Sequence, residues 1–322
     1  MKLHTWLITG ALTLSLGAVQ AQAQACPDNT RAFTHSMGES CIPIAPQRIV
    51  AARHDSIATP LLDIGAPVIG TNTAVDEQTG ERFIRGATHI LGININGPEG
   101  IADIGGPEGL DLEVIIGLNP DLILLSPWQS NLYAQASQIA PTVVMTANLP
   151  FLEHLEFVAD AAGMADVYAE RLIAYQAKIA ELKTIVGNPA EISVSRFDLY
   201  EGGIWYYPNW GAIDQVLNDA GFAKPAILAN LTENAEFSFE VIDQFDADLV
   251  ISSHARHFGQ TVNQLSTEWD TFAPFWRNLS AVREGNHFWY PRDEWVGYTF
   301  ASLHQVTDAM LLMTTGRLTG GN

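Results

Sequence analysis

The sequence predicts an α/β protein made of two similar lobes that one long helix connects. Two observations support this fold class. First, a helix-to-strand segment at residues 113–126 aligns without gaps on residues 240–253, with six of the fourteen positions identical. Second, apolar residues recur at spacings of three and four between residues 164 and 186, as in a helix that buries one face. Matched units on both sides of a long helix account for both observations.

The connecting helix is expected at residues 164–186, where no Gly or Pro interrupts the pattern. Its buried stripe would consist of Tyr168, Leu172, Tyr175, Ile179, Leu182 and Val186. The Gly187-Asn188-Pro189 sequence should end it. At about 1.5 Å per residue the helix would be roughly 35 Å long, which is long for a single small domain. The alternative is an ordinary packed helix of one large domain.

Residues 1–25 are expected to be a signal peptide, whose removal would leave a soluble exported protein. Lys2 precedes a mostly apolar stretch, and Ala-x-Ala sites end at Ala23 and Ala25, so cleavage could follow either. Cys26 would suit a lipoprotein, but the residue three positions before it is Ala23 and not a bulky aliphatic one. Lipidation is therefore not expected.

The chain has two cysteines, Cys26 and Cys41. An even pair in an exported chain predicts one disulfide, which would close a short hairpin between residues 30 and 43. Two free thiols acting as a redox or metal pair are the alternative. No second Cys-x-x-Cys element supports that alternative.

The formal charge is −20, and loss of Lys2 with the signal peptide would make it −21. This acidity argues against nucleic acid or an anionic membrane surface as a partner. An anionic small ligand stays possible because a local arginine pair can outweigh distant charges. Roughly 300 mature residues suit two lobes better than one core. We place an N-terminal lobe at 26–149, a helical linker at 150–187 and a C-terminal lobe at 188–322.

Strands and helices are expected to alternate in both halves. The N-terminal half should contain strands at 48–52, 67–70, 121–125 and 142–145, with helices at 57–64, 112–118 and 129–139. Residues 71–109, rich in Gly and Asn, should form a long irregular stretch. The C-terminal half should contain strands at 192–199, 249–252 and 287–290, with helices at 212–220, 239–245 and 298–315.

Aromatic side chains follow several predicted strands or precede helices, where ligands bind in parallel α/β sheets. These residues are Trp128, Tyr200, Trp205, Trp210, Trp295 and Tyr298. Each alone could pack in a core, but together they favour an amphipathic cyclic ligand between the lobes. Arg53, His254 and Arg256 also follow strands. An arginine there could donate charge-assisted hydrogen bonds to ligand oxygens, although a solvated loop is the alternative.

Several motifs in order give the chain a family resemblance. They are Pro46-Gln47-Arg48-Ile49-Val50, Asn119-Pro120-Asp121-Leu122-Ile123, Ala162-Gly163 with Tyr175, and Asn278-Leu279-Ser280-Ala281-Val282-Arg283-Glu284-Gly285. The chain resembles the periplasmic ligand-binding proteins of iron-siderophore and cobalamin importers. The resemblance implies two Rossmann-like α/β lobes joined by one long rigid α-helix, the class III arrangement. Pro208-Asn209-Trp210 and Trp295 with Ser302-Leu303 look most like the ferric-hydroxamate binders.

The resemblance implies a monomeric substrate-binding protein that delivers a ferric siderophore to the membrane permease of an ABC importer. No intrinsic cofactor is expected, because the ferric iron arrives within the siderophore. Related catecholate binders carry arginines where this chain has Trp128, which argues against a strongly anionic ligand. The resemblance also implies that Glu113 and Glu240, matched in the repeat, dock onto arginines of the two membrane subunits. Favourable placement at a helix N-terminus is the alternative role.

Other ligands and other function classes are the alternatives. Cobalamin or haem could replace the siderophore on the same fold. Bare Zn²⁺ or Mn²⁺ would need three or four converging ligands, and only His54, Asp55, His254 and His257 offer themselves. An enzyme is not expected, because the sequence contains no Gly-x-Ser-x-Gly, P-loop or His-Glu-x-x-His motif.

Overall fold

Two separate parallel sheets form the centres of two α/β lobes, as predicted. The structure, a computed structural model, describes residues 26–106 and 109–318. The predicted signal peptide lies outside these residues. Ten α-helices occur in the described part: α1 (Thr59–Asp63), α2 (Leu112–Leu118), α3 (Tyr133–Ala136), α4 (Phe151–Ala161), α5 (Ala165–Val186), α6 (Gly211–Ala220), α7 (Val262–Phe272), α8 (Ser280–Arg283), α9 (Arg292–Trp295) and α10 (Phe300–Leu318).

The N-terminal lobe contains a hairpin, one large sheet and two small strand pairs. Its strands are β1 (Thr30–His35), β2 (Gly38–Pro43), β3 (Ile49–Ala51), β4 (Val68–Thr71), β5 (Ala74–Val75), β6 (Arg82–Phe83), β7 (Ala102–Asp103), β8 (Gly105–Gly106), β9 (Gly109–Leu110), β10 (Leu122–Leu125) and β11 (Thr142–Val144). The five-stranded parallel sheet has the order β11-β10-β3-β4-β7. Its central strands are apolar and fully buried, as expected for a sheet covered on both faces.

The C-terminal lobe contains two three-stranded sheets. Its strands are β12 (Val194–Arg196), β13 (Asp198–Tyr200), β14 (Gly203–Tyr206), β15 (Ala235–Phe237), β16 (Leu249–His254) and β17 (His287–Pro291). The parallel sheet has the order β12-β16-β17, and β13-β14-β15 form an antiparallel sheet beside it. Short 3₁₀ or π segments connect many of the elements: His54–Ala58, Ala87–Leu91, Pro127–Leu132, Pro189–Glu191, Phe239–Phe245, Arg256–Phe258 and Pro274–Asn278.

The internal repeat occupies equivalent places in the two lobes. Strand β10 lies between β11 and β3, and its counterpart β16 lies between β12 and β17. Asp121 accepts hydrogen bonds from the backbone N–H groups of Gln47 (2.7 Å) and Arg48 (2.9 Å), just before β3. Its repeat partner Asp248 accepts from N and Oγ of Ser193, just before β12. In each lobe, therefore, the matched aspartate fixes the start of the neighbouring strand.

Helix α5 is the predicted long connecting helix, and it runs unbroken for 22 residues. All members of its predicted stripe are buried except Leu172, which is half-buried. The hydroxyl of Tyr175 donates to Oδ2 of Asp219 on α6, over 2.7 Å. Gly163 precedes the helix with a φ of +70°, and a Cβ there would collide with the carbonyl of Ile44. The close crossing of these two backbone segments therefore requires glycine.

The disulfide between Cys26 and Cys41 is formed, as predicted, and it anchors the segment that precedes β1 to strand β2. Strands β1 and β2 pair antiparallel along their full length. No helix in residues 26–106 and 109–318 combines the length and apolar character needed to cross a membrane.

Several element predictions were wrong in part. The helix expected at 239–245 is a 3₁₀ segment, and the helix expected at 57–64 is the end of a π segment followed by α1. The helix expected at 129–139 is instead a 3₁₀ turn followed by α3, because Pro127 and the capping pair Ser126 and Gln129 favour a tight turn after β10. The strand expected at 192–199 divides at Phe197 into β12 and β13, which join different sheets. Asp198 accepts hydrogen bonds from N and Oγ of Ser253, which hold the chain away from the parallel sheet at this point.

Candidate ligand-binding site

A small cavity of about 210 Å³ lies between the two lobes, at the carboxyl ends of their parallel strands. We call it the charged chamber. Its lining residues come from both lobes: Arg53, Asp55, Ser56, Arg85 and Trp128 from the first, and Asp293, Val296, Gly297 and Tyr298 from the second. Carboxyl ends of parallel strands are where α/β lobes bind ligands. Arg53, Trp128 and Tyr298 of the predicted set meet here.

Arg53 faces the charged chamber as one half of an ion pair. It follows β3, and its Nε and Nη2 donate to the two carboxylate oxygens of Asp55 over 2.8 and 3.1 Å. Asn72 fixes the turn by accepting from the backbone N–H of His54 at 2.7 Å. Burial favours a protonated Asp55, but neighbouring His54 and Arg53 outweigh it and hold the pKa of Asp55 below its usual value.

Arg85 makes the second ion pair of the charged chamber, and this pair crosses between the lobes. Its Nε donates to Oδ1 of Asp293 over 2.7 Å, while His257 Nδ1 lies 2.7 Å from Oδ2 of the same carboxylate. The sequence analysis placed Arg85 only within a long irregular stretch, considered Asp55 only as a possible metal ligand, and did not select Asp293. No local pattern marks Arg85 or Asp293 as a pair, since they are 208 residues apart in sequence.

Trp128 presents the most exposed large side chain of the site, with 85% of its surface accessible. It lies in the 3₁₀ turn after β10, where Gln129 donates from Nε2 to the carbonyl of Ala52 over 2.8 Å. That bond ties the turn to the end of β3. An exposed indole at the edge of a cavity, on an anchored turn, is suited to stack on a ligand.

Tyr298 is held in place by ring contacts. Its ring stacks on Phe151 at 5.0 Å and on His154 at 4.4 Å between centroids. Burial is the main cause of the raised pKa of its hydroxyl, so the group is a neutral donor at physiological pH. Tyr298 therefore contributes a neutral side chain with an anchored ring to the lining of the cavity.

A second inter-lobe cavity, of about 560 Å³, also has Tyr298 in its lining. Its polar side chains are neutral, and most are carboxamides. We call it the carboxamide chamber, and its lining is Asn148, Leu149, Pro150, Phe151, Pro208, Asn209, Gly211, Gln215, Thr232, Asn234 and Tyr298. The two chambers are neighbours, because Tyr298 lines both.

The aromatic residues Tyr200, Trp205 and Trp210 form a connected group in the C-terminal lobe but do not line the charged chamber. Tyr207 links them: its ring lies 5.9 Å from that of Trp205 and 4.0 Å from that of Trp210. Arg292 donates from Nη2 to the hydroxyl of Tyr200 over 2.6 Å. Burial raises the pKa of Tyr200 to about 12, with the charge of Arg292 acting in the opposite direction.

Three other predicted ligand residues lie away from the charged chamber. Trp295 is 5% exposed and stacks on Tyr290 at 5.1 Å, within the apolar core. Arg256 is ion-paired with Glu294. His254 ends β16, and its buried Nδ1 has no hydrogen-bond partner among the described residues. Burial lowers the pKa of His254, so it is neutral at pH 7.

Glu113 and Glu240 are both exposed in the first turn of their helices. The cap of each helix is the residue two positions earlier. Asp111 accepts from N of Glu113 and Val114, and Ser238 accepts from N of Glu240. Neither glutamate side chain is therefore needed for a capping hydrogen bond.

Across residues 26–106 and 109–318, no group of three or more His, Cys, Asp or Glu side chains is arranged to hold a metal ion. Two of the residues considered as possible metal ligands have other partners: Asp55 pairs with Arg53, and His257 pairs with Asp293.

Known proteins that resemble this chain are binding proteins. A family model described as periplasmic binding protein matches residues 58–294. A probable siderophore-binding lipoprotein of Bacillus subtilis (strain 168), YfiY, is 27% identical over 280 residues, or 83% of this chain and 82% of the relative. The iron(3+)-hydroxamate-binding protein FhuD of the same organism is 25% identical over 311 residues, covering 88% of this chain and 90% of the relative.

Solved structures show the same fold. A FhuD-fold binding protein component of a Fep/Fec-like ferrichrome ABC transporter from Bacillus subtilis superposes with a TM-score of 0.71 at 19% identity, over 88% of this chain and 99% of that one. Staphylococcus aureus SirA complexed with staphyloferrin B gives a TM-score of 0.67 at 21% identity, over 90% and 99%. At this level of identity the likeness shows a shared architecture.

Proposed function

The chain belongs to the periplasmic binding protein family, and from that premise we propose that it captures a ferric siderophore for an ABC importer. The observation that carries the proposal is the inter-lobe cavity lined by Arg53, Arg85, exposed Trp128 and fixed Tyr298. Guanidinium groups can donate to chelate oxygens, and an exposed indole can cover an apolar part of the ligand. The names of the relatives YfiY and FhuD support the same ligand class.

The charge balance of the charged chamber favours a neutral chelate. Arg53 pairs with Asp55 at 2.8 Å and Arg85 pairs with Asp293 at 2.7 Å, so the two cations there are matched by two anions. A highly charged catecholate or carboxylate complex would meet these carboxylates without a free cation to offset them. We therefore assign the ligand to the ferric hydroxamates, whose chelate core carries no net charge.

The remaining predicted ligand residues are proposed as the wider contact surface. Tyr200 and His254 end β13 and β16, Trp205 lies within β14, and Trp210 and Arg256 follow strands of the C-terminal lobe. None of the five lines the charged chamber. Because the chamber is small, a siderophore would extend over such neighbouring surfaces. Trp295, which is buried, would act by supporting the backbone that carries Tyr298.

We further propose how the protein is organised and where it acts. The N-terminal lobe would span 26–149, the linker 150–187 and the C-terminal lobe 188–322, with α5 keeping the lobes at a nearly fixed separation. Export by the signal peptide would deliver a soluble monomer to the periplasm. The sulfur of Cys26 is bonded to Cys41, which leaves no thiol for a lipid anchor and supports this localisation. Exposed Glu113 and Glu240 would dock onto the permease.

Titration of intrinsic tryptophan fluorescence tests the proposal. Trp128 should be quenched in a saturable way by a ferric hydroxamate, and much less by the same siderophore without iron. Cobalamin, haem and Zn²⁺ are the alternatives and are titrated in parallel. The Trp128→Ala variant is the control for the origin of the signal. A saturable response confined to cobalamin, haem or Zn²⁺ would overturn the assignment.

A further inference from the structure

The charged chamber is too small to hold a whole siderophore. At about 210 Å³ it falls below the roughly 300–1,000 Å³ that small-molecule sites usually occupy. The carboxamide chamber, at about 560 Å³, lies within that range and adjoins it at Tyr298. A ligand that places one end in the charged chamber must therefore extend, and the larger cavity lies directly beside it.

The polar side chains of the carboxamide chamber are available to a ligand. Asn148, Asn209, Thr232 and Asn234 are exposed, and within the described part of the chain none of their side chains makes a hydrogen bond. Gln215 differs, because its Nε2 donates to Asp219 over 2.8 Å and so its orientation is fixed. Amide groups both donate and accept, so this lining can satisfy a partner of either kind.

The lining also selects by charge. No Arg, Lys, His, Asp or Glu is among the side chains that line this chamber. A carboxylate or ammonium group placed there would lose hydration without gaining an opposite charge, which is unfavourable. Neutral amides and hydroxyls, by contrast, can exchange hydrogen bonds with Asn and Gln side chains as donors and as acceptors.

From this geometry we propose that the carboxamide chamber is a second subsite, which binds the neutral, amide- or hydroxyl-bearing frame of the ligand beyond its iron chelate. The inference rests on the proposed function, since it assumes a ferric siderophore in the charged chamber. The iron-binding end lies on one side of Tyr298 and the frame on the other. The subsite then distinguishes siderophores that share a chelate chemistry but differ in the chain that links their hydroxamates.

The subsite is prepared in advance of binding. Tyr298 is fixed by its two stacked neighbours, and Asn148 and Asn209 adopt left-handed backbone conformations with φ of +57° and +61°. Asn tolerates that conformation better than most residues, so it suits both tight turns. The fixed ring of Tyr298 and the fixed backbone of these turns reduce the entropic cost of binding, while the amide side chains stay free to orient toward the ligand.

The test compares two ferric hydroxamates of different frame. Ferrioxamine B carries amides in the chain that links its hydroxamates, and its one ammonium group is on a terminal tail outside that chain. Ferric tris(acetohydroxamate), kept intact by excess acetohydroxamic acid, has the same chelate and no frame. The variant Thr232→Val/Asn234→Leu removes hydrogen-bonding groups while keeping side-chain volume. The matched control, Asn218→Leu/Thr184→Val, makes the same changes on exposed positions that line neither chamber.

The expected result is an affinity for ferrioxamine B reduced about five- to tenfold in the chamber variant and unchanged in the control, because two neutral hydrogen bonds are lost. The affinity for ferric tris(acetohydroxamate) should not change in either variant. A second variant, Asn234→Trp, should obstruct the chamber and weaken ferrioxamine B selectively.

Each other outcome overturns a defined statement. If the wild type binds ferrioxamine B and both chamber variants bind it equally well, the subsite is wrong and the proposed function stands. If both chelates weaken together, the residues act on the fold or the charged chamber, and the subsite is again wrong. If the wild type binds no ferric hydroxamate, the assigned ligand class fails, and the subsite fails with it.

Discussion

Arg85 of the N-terminal lobe donates a hydrogen bond from Nε to Oδ1 of Asp293 in the C-terminal lobe, over 2.7 Å. The carboxylate of Asp293 is only 2% exposed, and His257 contacts its other oxygen. Burial would favour the protonated acid, but the hydrogen bond from His257 and the charge of Arg85 lower the pKa of Asp293 to about 2. A charged pair therefore joins the lobes at the charged chamber.

Removing Arg85 should destabilise the protein measurably. Arg85→Ala leaves a buried carboxylate with His257 as its remaining partner, so the free energy of unfolding should fall by about 2 kcal/mol. Arg82→Ala is the matched control, because Arg82 is 47% exposed and pairs with Asp103 at 3.2 Å. This substitution should lower the free energy of unfolding by less than about 1 kcal/mol. Urea denaturation of both variants measures the difference. An equal loss of unfolding free energy in both variants would show that the inter-lobe ion pair stabilises the protein no more than an exposed one.

Stability should fall when the pH drops from about 7 to about 4.5. Burial lowers the pKa of His54 and of His287 from the ordinary 6.5 to about 4, because charged imidazole is disfavoured inside the protein. Between these values the unfolded chain binds protons that the folded chain does not, so the stabilisation is complete above pH 6.5 and is lost towards pH 4. Each group accounts for roughly 3 kcal/mol over that range.

His287→Phe provides the check on this pH dependence. The side chain stacks on Trp269 at 5.9 Å, and a phenyl ring keeps that contact but cannot take a proton. Urea denaturation at a series of pH values should give a shallower pH slope for the variant than for the wild type. An unchanged slope would mean that His287 is not a source of the acid sensitivity.

Trp128 and Trp295 should respond to alanine substitution in opposite ways. Trp128→Ala should weaken ferric hydroxamate binding by about 1–3 kcal/mol, because an exposed ring at the cavity is lost, while stability barely changes. Trp295→Ala should lower the free energy of unfolding by about 3–5 kcal/mol, because it empties a packed position against Tyr290. Thermal denaturation and ligand titration on both variants separate the two roles. Finding that Trp128→Ala binds normally would remove Trp128 from the site.

Charge reversal at Glu113 and Glu240 should block uptake without affecting ligand binding. Docking of matched glutamates onto a twofold permease relies on charge complementarity, which sets orientation and association rate. The double variant Glu113→Arg/Glu240→Arg should therefore lose siderophore-dependent growth while keeping its ligand affinity and melting temperature. Glu170→Arg/Glu181→Arg, on the exposed face of α5, is the control and should transport normally. Normal uptake by the first variant would leave both glutamates with a local helix role.

The sequence predicted the architecture well because its signals are local or periodic. The stripe of α5 reports burial at a spacing of 3.6 residues, and the repeat at 113–126 and 240–253 reports two equivalent strand positions. The Cys26–Cys41 pair had one possible partner each. Predictions of strands and helices were wrong where one local sequence pattern is compatible with two structures. The run at 192–199 is extended throughout most of its length, but only Asp198 and its bond to Ser253 decide that it serves two sheets.

The site was predicted less completely, since its residues meet through the tertiary fold. Position after a strand selected Arg53 and Trp128, and position before the last helix selected Tyr298; all three line the charged chamber. Position before the last helix also selected Trp295, which the structure buries in the core. A rule based on position in the chain does not say which way a side chain points.

By itself, then, the sequence determined the two lobes, the helix between them and the disulfide, because hydrophobic periodicity and residue pairing are encoded along the chain. Only the tertiary structure decided which charges meet. Arg85 and Asp293 are 208 residues apart in sequence, and Asn148 and Asn234 come from different lobes. The Arg85–Asp293 ion pair and the position of the two asparagines in one cavity both depend on how the two lobes pack across α5. No local sequence pattern records that packing. The charge balance of one chamber and the neutrality of the other follow from it.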